Sequence, residues 1–284
     1  MKFGVMFANV GPFGRPELLT HLARTAEEVG FESLWTVEHV VVPKGYGSQY
    51  PYSTDGKMPG PEEAPIPDPF VWLAYAAAVT RRIRLGTGVL ILPQRHPCYV
   101  AKEVATLDQL SGGRVELGVG IGWLEEEFRS LGIPFSERVG RTEEAIRALR
   151  SLWSDGPSEF HGPHFDWNPL ESNPKPVQRP GVRVHVGGHV KGAARRAARL
   201  GDGFFPARAD LLPELLATLR EECDRIGRDP AEIEISSGSV PSLDEVRRLQ
   251  DLGVSRFVAP PPGFDEDAIT AGFTRMGDEI LAKL

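Results

Sequence analysis

Residues 107–120 read LDQLSGGRVELGVG, which is the end of an amphipathic helix, a glycine pair and a short apolar run. The same order recurs at 26–37 (AEEVGFESLWTV), 197–206 (AARLGDGFFP) and 247–260 (RRLQDLGVSRFVAP). Glycine readily takes the left-handed conformation that ends a helix and lets the chain reverse. Runs that are apolar throughout are typical of strands buried on both faces of a parallel sheet. The repeat therefore predicts helices that alternate with parallel strands.

Counted along the chain, the repeat predicts eight strands, each followed by a helix. The predicted strands are 2–8, 32–37, 83–91, 114–120, 183–186, 202–206, 232–236 and 255–259. The predicted helices are 16–29, 69–80, 97–110, 140–153, 189–200, 211–227, 242–251 and 265–282. Eight parallel strands close an α/β barrel, which needs roughly 250 residues. We therefore predict a single (β/α)₈ TIM-barrel domain over residues 1–284.

An open, doubly wound sheet is the alternative fold. That fold usually has fewer strands and carries a G-x-G-x-x-G turn directly after its first strand. The first turn here reads NVGPFGRP, in which Gly11 and Gly14 flank a proline without that spacing. The first turn therefore favours the barrel.

Composition and charge limit the classes of partner. The net charge is −7, the acidic and basic residues are mixed along the chain, and 41% of the residues are hydrophobic. This balance argues against nucleic acid or an anionic membrane as the main partner. The apolar stretches are too short to span a membrane, the N-terminus does not read as a signal peptide, and two cysteines imply no disulfide framework. We expect a cytoplasmic enzyme that acts on a small molecule.

Two long connections interrupt the repeat, at residues 40–67 and 154–181. Loops of this length are uncommon in compact domains unless they carry function or are disordered. The first follows the C-terminal end of a predicted strand, the face where barrel active sites lie, and it contains Tyr46. We interpret it as a substrate lid, with a plain surface loop as the alternative. The second contains EFHGPHFDW, which predicts a small scaffold hairpin turning at Gly162–Pro163.

Candidate chemistry is expected at the C-terminal ends of the strands. The second strand ends in TVEHV, which places Glu38 or His39 there. Histidine transfers protons near neutral pH, although a histidine with a purely structural role is the alternative. The fifth strand is followed by VHVGGHVKG, in which Gly187 and Gly188 can present backbone N–H groups to an anion where a helix begins. His189 adds a further donor there, and a plain turn is the alternative.

The third and fourth strands contain an unusual number of glycines. Glycine inside a strand often marks a bulge or a close approach of a ligand, although tight core packing explains it equally well. The fourth strand ends in GVGIGW, in which Gly118, Gly120 and Gly122 alternate. We expect the missing side chains to leave room for a flat ring, with the Trp123 indole as a wall.

Metal-dependent hydrolysis is the main rival function. His161 with His164, and His185 with His189, have spacings that could ligate a metal. The first pair lies in the predicted hairpin, the second spans a strand and a turn, and no Asp/Glu set completes a ligand sphere. A barrel that binds a cofactor or partner without catalysing a reaction is a third hypothesis.

Four segments together resemble the luciferase-like monooxygenase superfamily, especially its branch that uses the deazaflavin coenzyme F420. They are GFESLWTVEHVVVP, VTRRIRLGTGVLILPQRHPCYVAKEVATLDQLSGGRVELGVGIGW, PFSERVGRTEEAIRALRSLW and NPKPVQRPGVRVHVGGHVKGAARRAARLGDGFFP. The segments cover most of residues 1–210. The resemblance implies a bacterial-luciferase-like TIM barrel and an oxidoreductase. Its cofactor would be F420, used for hydride transfer, or alternatively FMN, used for oxygen insertion. A separate reductase would supply the reduced cofactor. The resemblance also implies a homodimer.

Site residues carry over from the resemblance position by position. A cis peptide bond between Gly88 and Val89 is expected to back the cofactor ring, and His39 is expected at the reacting centre. The implied cofactor-binding residues are Gly88, Val89, Gly120, Gly122, Gly187, Gly188 and His189. Some F420-dependent sugar-phosphate dehydrogenases carry glutamate where this chain has Trp123, so we expect Trp123 and Tyr46 to form an apolar substrate pocket instead.

Overall fold

Eight parallel strand positions close into a barrel in the computed structural model, which describes residues 1–206, 208–238 and 240–284. The strands are β1 (Lys2–Val5), β2 (Ser33–Thr36), β3 (Arg84–Thr87), β4 (Leu90–Ile91), β5 (Val115–Gly120), β6 (Ser158–His161), β7 (Asp166–Leu170), β8 (Val184–Gly187), β9 (Gly203–Phe205), β10 (Glu234–Gly238) and β11 (Arg256–Ala259). β1 pairs in parallel with both β2 and β11, and this pairing closes the ring. The predicted TIM barrel is therefore confirmed, and the open sheet is excluded.

The third barrel position consists of two strands rather than one. β3 pairs with β2 and β5, and β4 pairs with β5 further along. Gly88 and Val89 lie between β3 and β4 and belong to neither. The prediction of one uninterrupted strand over 83–91 is therefore wrong, because the parallel ladder is broken at these two residues.

Helices surround the barrel, and eight of them correspond to the predicted ones. They are α1 (Pro16–Val29), α2 (Pro69–Val79), α3 (Pro97–Ser111), α4 (Glu125–Ser130), α5 (Arg138–Trp153), α6 (Lys191–Leu200), α7 (Leu212–Ile226), α8 (Leu243–Asp251) and α9 (Glu266–Glu279). Short 3₁₀ turns occur at Gly11–Gly14, Leu92–Gln94, Phe135–Glu137, Ala209–Leu211, Pro230–Glu232 and Leu281–Lys283. The short helix α4 was not predicted. Within the described parts of the chain, none of the helices has the length and apolarity that crossing a bilayer requires.

Glycines end three of the four repeated helix–strand units as predicted. Gly30, Gly112 and Gly253 have φ values of 102°, 70° and 96° and so lie in the left-handed region. The fourth, Gly201, has φ −92° and ψ 152°, so the left-handed prediction is wrong there. A side chain on Gly201 would lie 2.8 Å from the Gly203 carbonyl oxygen, so close packing of the backbone accounts for this glycine.

Trp35 fills the middle of the barrel. Its side chain is fully buried and packs with Met6, Phe205 and Val258. A methyl group added to Gly86 would lie 2.5 Å from the Trp35 ring, and one added to Gly4 would meet the same indole. Tight core packing therefore explains Gly86, and a bulge or the close approach of a ligand is not needed to explain it.

A layer of buried charges lies beneath Trp35, toward the N-terminal ends of the strands. Arg256 is fully buried, makes paired hydrogen bonds of 2.9 and 3.0 Å to Glu32, and lies 5.1 Å from the Trp35 ring. Glu116 is bonded to Nε2 of His185 at 2.7 Å. Burial acts to raise the pKa of Glu116, but the His185 contact and the nearby arginines lower it to about 2. Ion pairs therefore offset the cost of burying these charges, although Nδ1 of His185 is buried without a partner.

The predicted hairpin is present outside the barrel. β6 and β7 pair antiparallel, and the Gly162 N–H donates to the Phe165 carbonyl at 2.9 Å. The prediction of a turn at Gly162–Pro163 is therefore confirmed.

Candidate active site

Val89 lies at the C-terminal end of the barrel, which we call the mouth. Its side chain is half-buried between β5 and β8. A methyl group on Gly120 would lie 2.5 Å from Cγ2 of Val89, and one on Gly187 would lie 2.5 Å from Cγ1. The Val89 side chain therefore occupies the space left by the missing side chains of Gly120 and Gly187. The Gly88–Val89 peptide bond is cis, which confirms the expectation from the family resemblance.

The glycines of β5, and Gly122 just after it, do not leave an open slot, contrary to expectation. The side-chain position of Gly120 is filled by Val89, and that of Gly118 by the Thr87 carbonyl. Gly122 has φ 75°, and a methyl group there would meet the Phe128 ring at 2.6 Å. Each space is taken because the neighbouring elements pack onto the bare backbone. Room for a planar ring must therefore lie outside this layer, over the half-exposed face of Val89.

His39 follows β2 and is paired with a carboxylate. Its Nδ1 lies 2.9 Å from Oε2 of Glu127, a fully buried residue on α4. The other oxygen of Glu127 accepts hydrogen bonds from the N–H groups of Val40 at 2.7 Å and Val41 at 3.3 Å. Because a carboxylate accepts through both oxygens, this arrangement assigns a hydrogen to Nδ1. No described residue bonds to Nε2, so this nitrogen is available for proton transfer.

Glu38, the other candidate at the end of β2, has a different role. Its carboxylate accepts from the Ile91 N–H at 2.6 Å and from Nε of Arg95 at 2.8 Å. Burial raises the pKa of Glu38, although Arg95 opposes this change. Glu38 therefore holds β4 and the segment after it in place, and His39 stays the candidate for proton transfer.

The 40–67 loop crosses the mouth and carries aromatic rings onto it. Five rings form a row in which each contacts the next edge-on, and we call it the aromatic row. Its members are His39, Trp123, Tyr50, Tyr52 and His189, with successive centroid distances of 5.7, 5.1, 5.1 and 4.8 Å. The loop therefore reaches from the end of β2 to the turn after β8, and its interpretation as a substrate lid stays a prediction.

Two further contacts position the loop. Tyr46 is buried, lies 5.5 Å from the Trp123 ring, and accepts from the Met58 N–H at 3.0 Å. Glu126 accepts from the Gly47 N–H at 2.8 Å and from the Ser48 hydroxyl at 2.6 Å. The hydrogen bond from Ser48 lowers the pKa of Glu126 to about 2. Trp123 and Tyr46, predicted as pocket residues, are thus in contact, and α4 holds the loop.

The turn between β8 and α6 has the features of an anion site. The helix begins at Lys191, two residues later than predicted, so His189 lies in the turn and not in the helix. The backbone N–H groups of residues 189–192 donate to no described group, whereas that of Gly188 donates to the Phe205 carbonyl. Nδ1 of His189 is buried without a partner, and burial lowers the pKa of His189. Free N–H groups at a helix start attract anions.

The two histidine pairs considered for a metal do not converge. His185 is fully buried and bonded to Glu116, whereas His189 contacts Tyr52 at the mouth. His161 is exposed and bonded to Asp166 at 2.7 Å. The described residues contain no group of three or more His, Cys, Asp or Glu side chains that could hold a metal ion. The metal hypothesis therefore has no ligand set to rest on.

Comparison with known proteins identifies the family. Residues 1–250 match the family model described as luciferase-like monooxygenase. The chain belongs to the luciferase-like monooxygenase family. Its relatives include an uncharacterized Mycobacterium tuberculosis protein, 37% identical over 82% of this chain and 81% of the relative.

Two other relatives of the chain are named for activities that use different cofactors. An F420-dependent glucose-6-phosphate dehydrogenase of Kineococcus radiotolerans is 33% identical over 86% of this chain and 69% of the relative. An FMNH(2)-dependent dimethylsulfone monooxygenase of Pseudomonas putida is 32% identical over 65% of this chain and 47% of the relative. Membership of the family makes the protein an oxidoreductase or monooxygenase.

Several residues of this luciferase-like site were not predicted. Glu127 and Glu126 come from the unpredicted helix α4, and Tyr50 and Tyr52 come from the lid. The run WLEEEF directly after the fourth predicted strand was the available signal, because carboxylates at a strand end can orient a histidine. Their partners are far away in the chain, so the sequence pattern did not indicate which side chains they meet.

Proposed function

We propose that the protein transfers hydride between coenzyme F420 and a small organic substrate at the barrel mouth. One observation carries the proposal: the His39–Glu127 pair and the free N–H groups of residues 189–192 lie at the two ends of the aromatic row, on the same face as Val89. The F420-dependent relative supports it, because its match extends over 86% of this chain.

The residues at the mouth fit such a cofactor in three respects. Val89, held by Gly120 and Gly187, would support the ring. The N–H groups of residues 189–192 would hold the phosphate, because a helix start favours an anion. The buried, unpartnered Nδ1 of His189 would gain a partner there, which removes the cost of leaving it unsatisfied. When bound, the reduced deazaflavin supplies the hydride.

The chain itself would contribute proton transfer and exclusion of water. Glu127 holds the His39 ring through Nδ1, so Nε2 can accept or deliver the proton that accompanies hydride transfer. The lid lies over this centre through Tyr46 and Tyr50, whose contacts with Trp123 keep water out. Excluding water strengthens the polar contacts within the site.

Oxygen insertion with FMN is the second candidate. It is favoured by the FMNH(2)-dependent relative, which is 32% identical over 65% of this chain. The same residues would hold either cofactor, because both present a flat ring and a phosphate. A separate reductase would then supply the reduced flavin.

Titration of the purified protein with F420 and, separately, with FMN tests the proposal. We expect saturable binding of F420, monitored by the change in tryptophan fluorescence. Binding of FMN should be at least about tenfold weaker, a difference of roughly 1.4 kcal/mol. Gly187→Val should abolish the binding, because its side chain would collide with Val89. Tyr99→Ala, on the exposed surface of α3, is the control. Tighter binding of FMN would favour the oxygenase, and binding of neither would refute both.

A further inference from the structure

We propose that the mouth accepts an uncharged, planar, apolar substrate and that Tyr50 is the residue that selects it. This inference rests on the proposed function, since it concerns the substrate of the same site. It concerns the part of the mouth between His39 and Tyr52, where the lid meets Trp123.

Aromatic side chains form the walls of this part of the mouth. Tyr50 is half-buried and contacts Trp123 and Tyr52, each at a centroid distance of 5.1 Å. Burial raises the pKa of Tyr50 to about 12, so its hydroxyl stays protonated at neutral pH. No residue in the described ranges forms a hydrogen bond with that hydroxyl. The wall therefore offers mainly aromatic surface, which suits a planar, apolar molecule.

A residue just after β1 exposes an apolar ring at the same end of the barrel. Phe7 has φ 59° and is the one non-glycine residue with positive φ in the described chain. Its ring is 44% exposed, although phenylalanine avoids this conformation in ordinary loops. Such outliers are concentrated at functional sites. Met6, the preceding residue, packs on the Trp35 cluster inside the barrel.

The charged groups around Trp123 and Tyr50 already have hydrogen-bond partners. Glu127 accepts from His39 and two backbone N–H groups, and Glu126 accepts from Gly47 and Ser48. Lys57 lies 4.9 Å from the Tyr46 ring, and its Nζ donates to the Tyr46 carbonyl at 3.5 Å.

An ionic substrate would therefore have to compete with existing hydrogen bonds to pair with any of these charged groups. An anion would also face two carboxylates, and a cation would find both of them satisfied by other donors. Burying an unpaired charge is costly, whereas an apolar ring gains from leaving water. Both effects favour the binding of an uncharged ligand at this wall.

Three probes with the same ring system test the inference on the full chain. Naphthol is neutral at neutral pH, naphthoate is an anion, and naphthylmethylammonium is a cation. Their binding is measured by equilibrium dialysis in excess inorganic phosphate, which fills the turn at residues 189–192 so that naphthoate cannot bind there instead. We expect naphthol to bind at least about tenfold more tightly than either ion. This comparison needs no variant.

Substitutions of Tyr50 test its selecting role. Tyr50→Ala should weaken naphthol binding about tenfold, which is the effect of losing one aromatic contact. Tyr50→Phe keeps the ring and should bind as the unaltered protein does, as should Tyr99→Ala. Equal or tighter binding of either ion, or unchanged naphthol binding by Tyr50→Ala, would overturn the inference. Because no cofactor takes part, failure here is separate from failure of the cofactor titration.

Discussion

Replacing Glu127 by glutamine should reverse the hydrogen-bonding role of Nε2 of His39. In the native chain, Oε2 of Glu127 accepts from Nδ1 at 2.9 Å, while Oε1 accepts from the Val40 and Val41 N–H groups. A glutamine of the same shape keeps its carbonyl oxygen toward the backbone and turns its NH₂ group toward His39. Nδ1 must then accept, so the ring hydrogen moves to Nε2.

The size of the effect follows from the bonds that change. A hydrogen bond to a charged group contributes roughly 1.5–3 kcal/mol, and the neutral amide of glutamine weakens all three hydrogen bonds that the Glu127 carboxylate accepts. We expect Glu127→Gln to lower the free energy of unfolding by about 1–3 kcal/mol. Turnover should fall more steeply, by roughly 10²-fold or more, because a general acid or base with the wrong tautomer cannot act.

Nuclear magnetic resonance of isotope-labelled histidine rings measures the tautomer directly. The chain has 7 histidines, and the His39 signals are assigned from a His39→Gln variant. We expect the neutral ring to carry its hydrogen on Nδ1 in the native protein and on Nε2 in Glu127→Gln. Glu126→Gln is the matched control, because Glu126 contacts Ser48 in the lid instead of His39. A native His39 with its hydrogen on Nε2, or no change in Glu127→Gln, would refute the reasoning.

Three further predictions follow from the same structure. Gly187→Ala should destabilise the fold by about 1–3 kcal/mol in urea unfolding, because the added methyl lies 2.5 Å from Val89; an unchanged midpoint would contradict this packing. The pKa of Glu116 is lowered in the folded protein to about 2. Its contribution to stability is therefore complete at pH values above the pKa of the unfolded chain, and it is lost as the pH falls toward 2. This contribution to the free energy of unfolding amounts to about 3 kcal/mol. Acid unfolding followed by circular dichroism should therefore show a smaller loss of stability with falling pH for Glu116→Gln than for the native protein. Parallel unfolding curves for the two proteins would count against the His185 pairing. Dialysis against EDTA should leave the melting temperature and turnover unchanged, because the described residues form no metal-ligand cluster; a loss restored by zinc would revive the metal hypothesis.

The barrel could be predicted from the sequence because its signals are local. The glycine that ends a helix affects about one turn of the chain, and the apolar run that follows it forms one strand. Both signals therefore depend only on residues that are close together in the sequence. Gly30 and Gly112 are therefore predicted correctly without knowledge of the rest of the chain. The break between β3 and β4 was different, because its place at Gly88–Val89 came from the family resemblance and not from the residue pattern.

The site depended on contacts between distant parts of the chain. His39 could be named from its place at a strand end, but its partner Glu127 is 88 residues away. The space beside Gly120 was expected to be open, and it is filled by Val89 from the segment between β3 and β4. Strand order and residue type follow from local periodicity and burial, whereas which side chains meet across the mouth depends on how the barrel closes. That closure brings the lid, α4 and the turn after β8 together, and only the tertiary structure decides it.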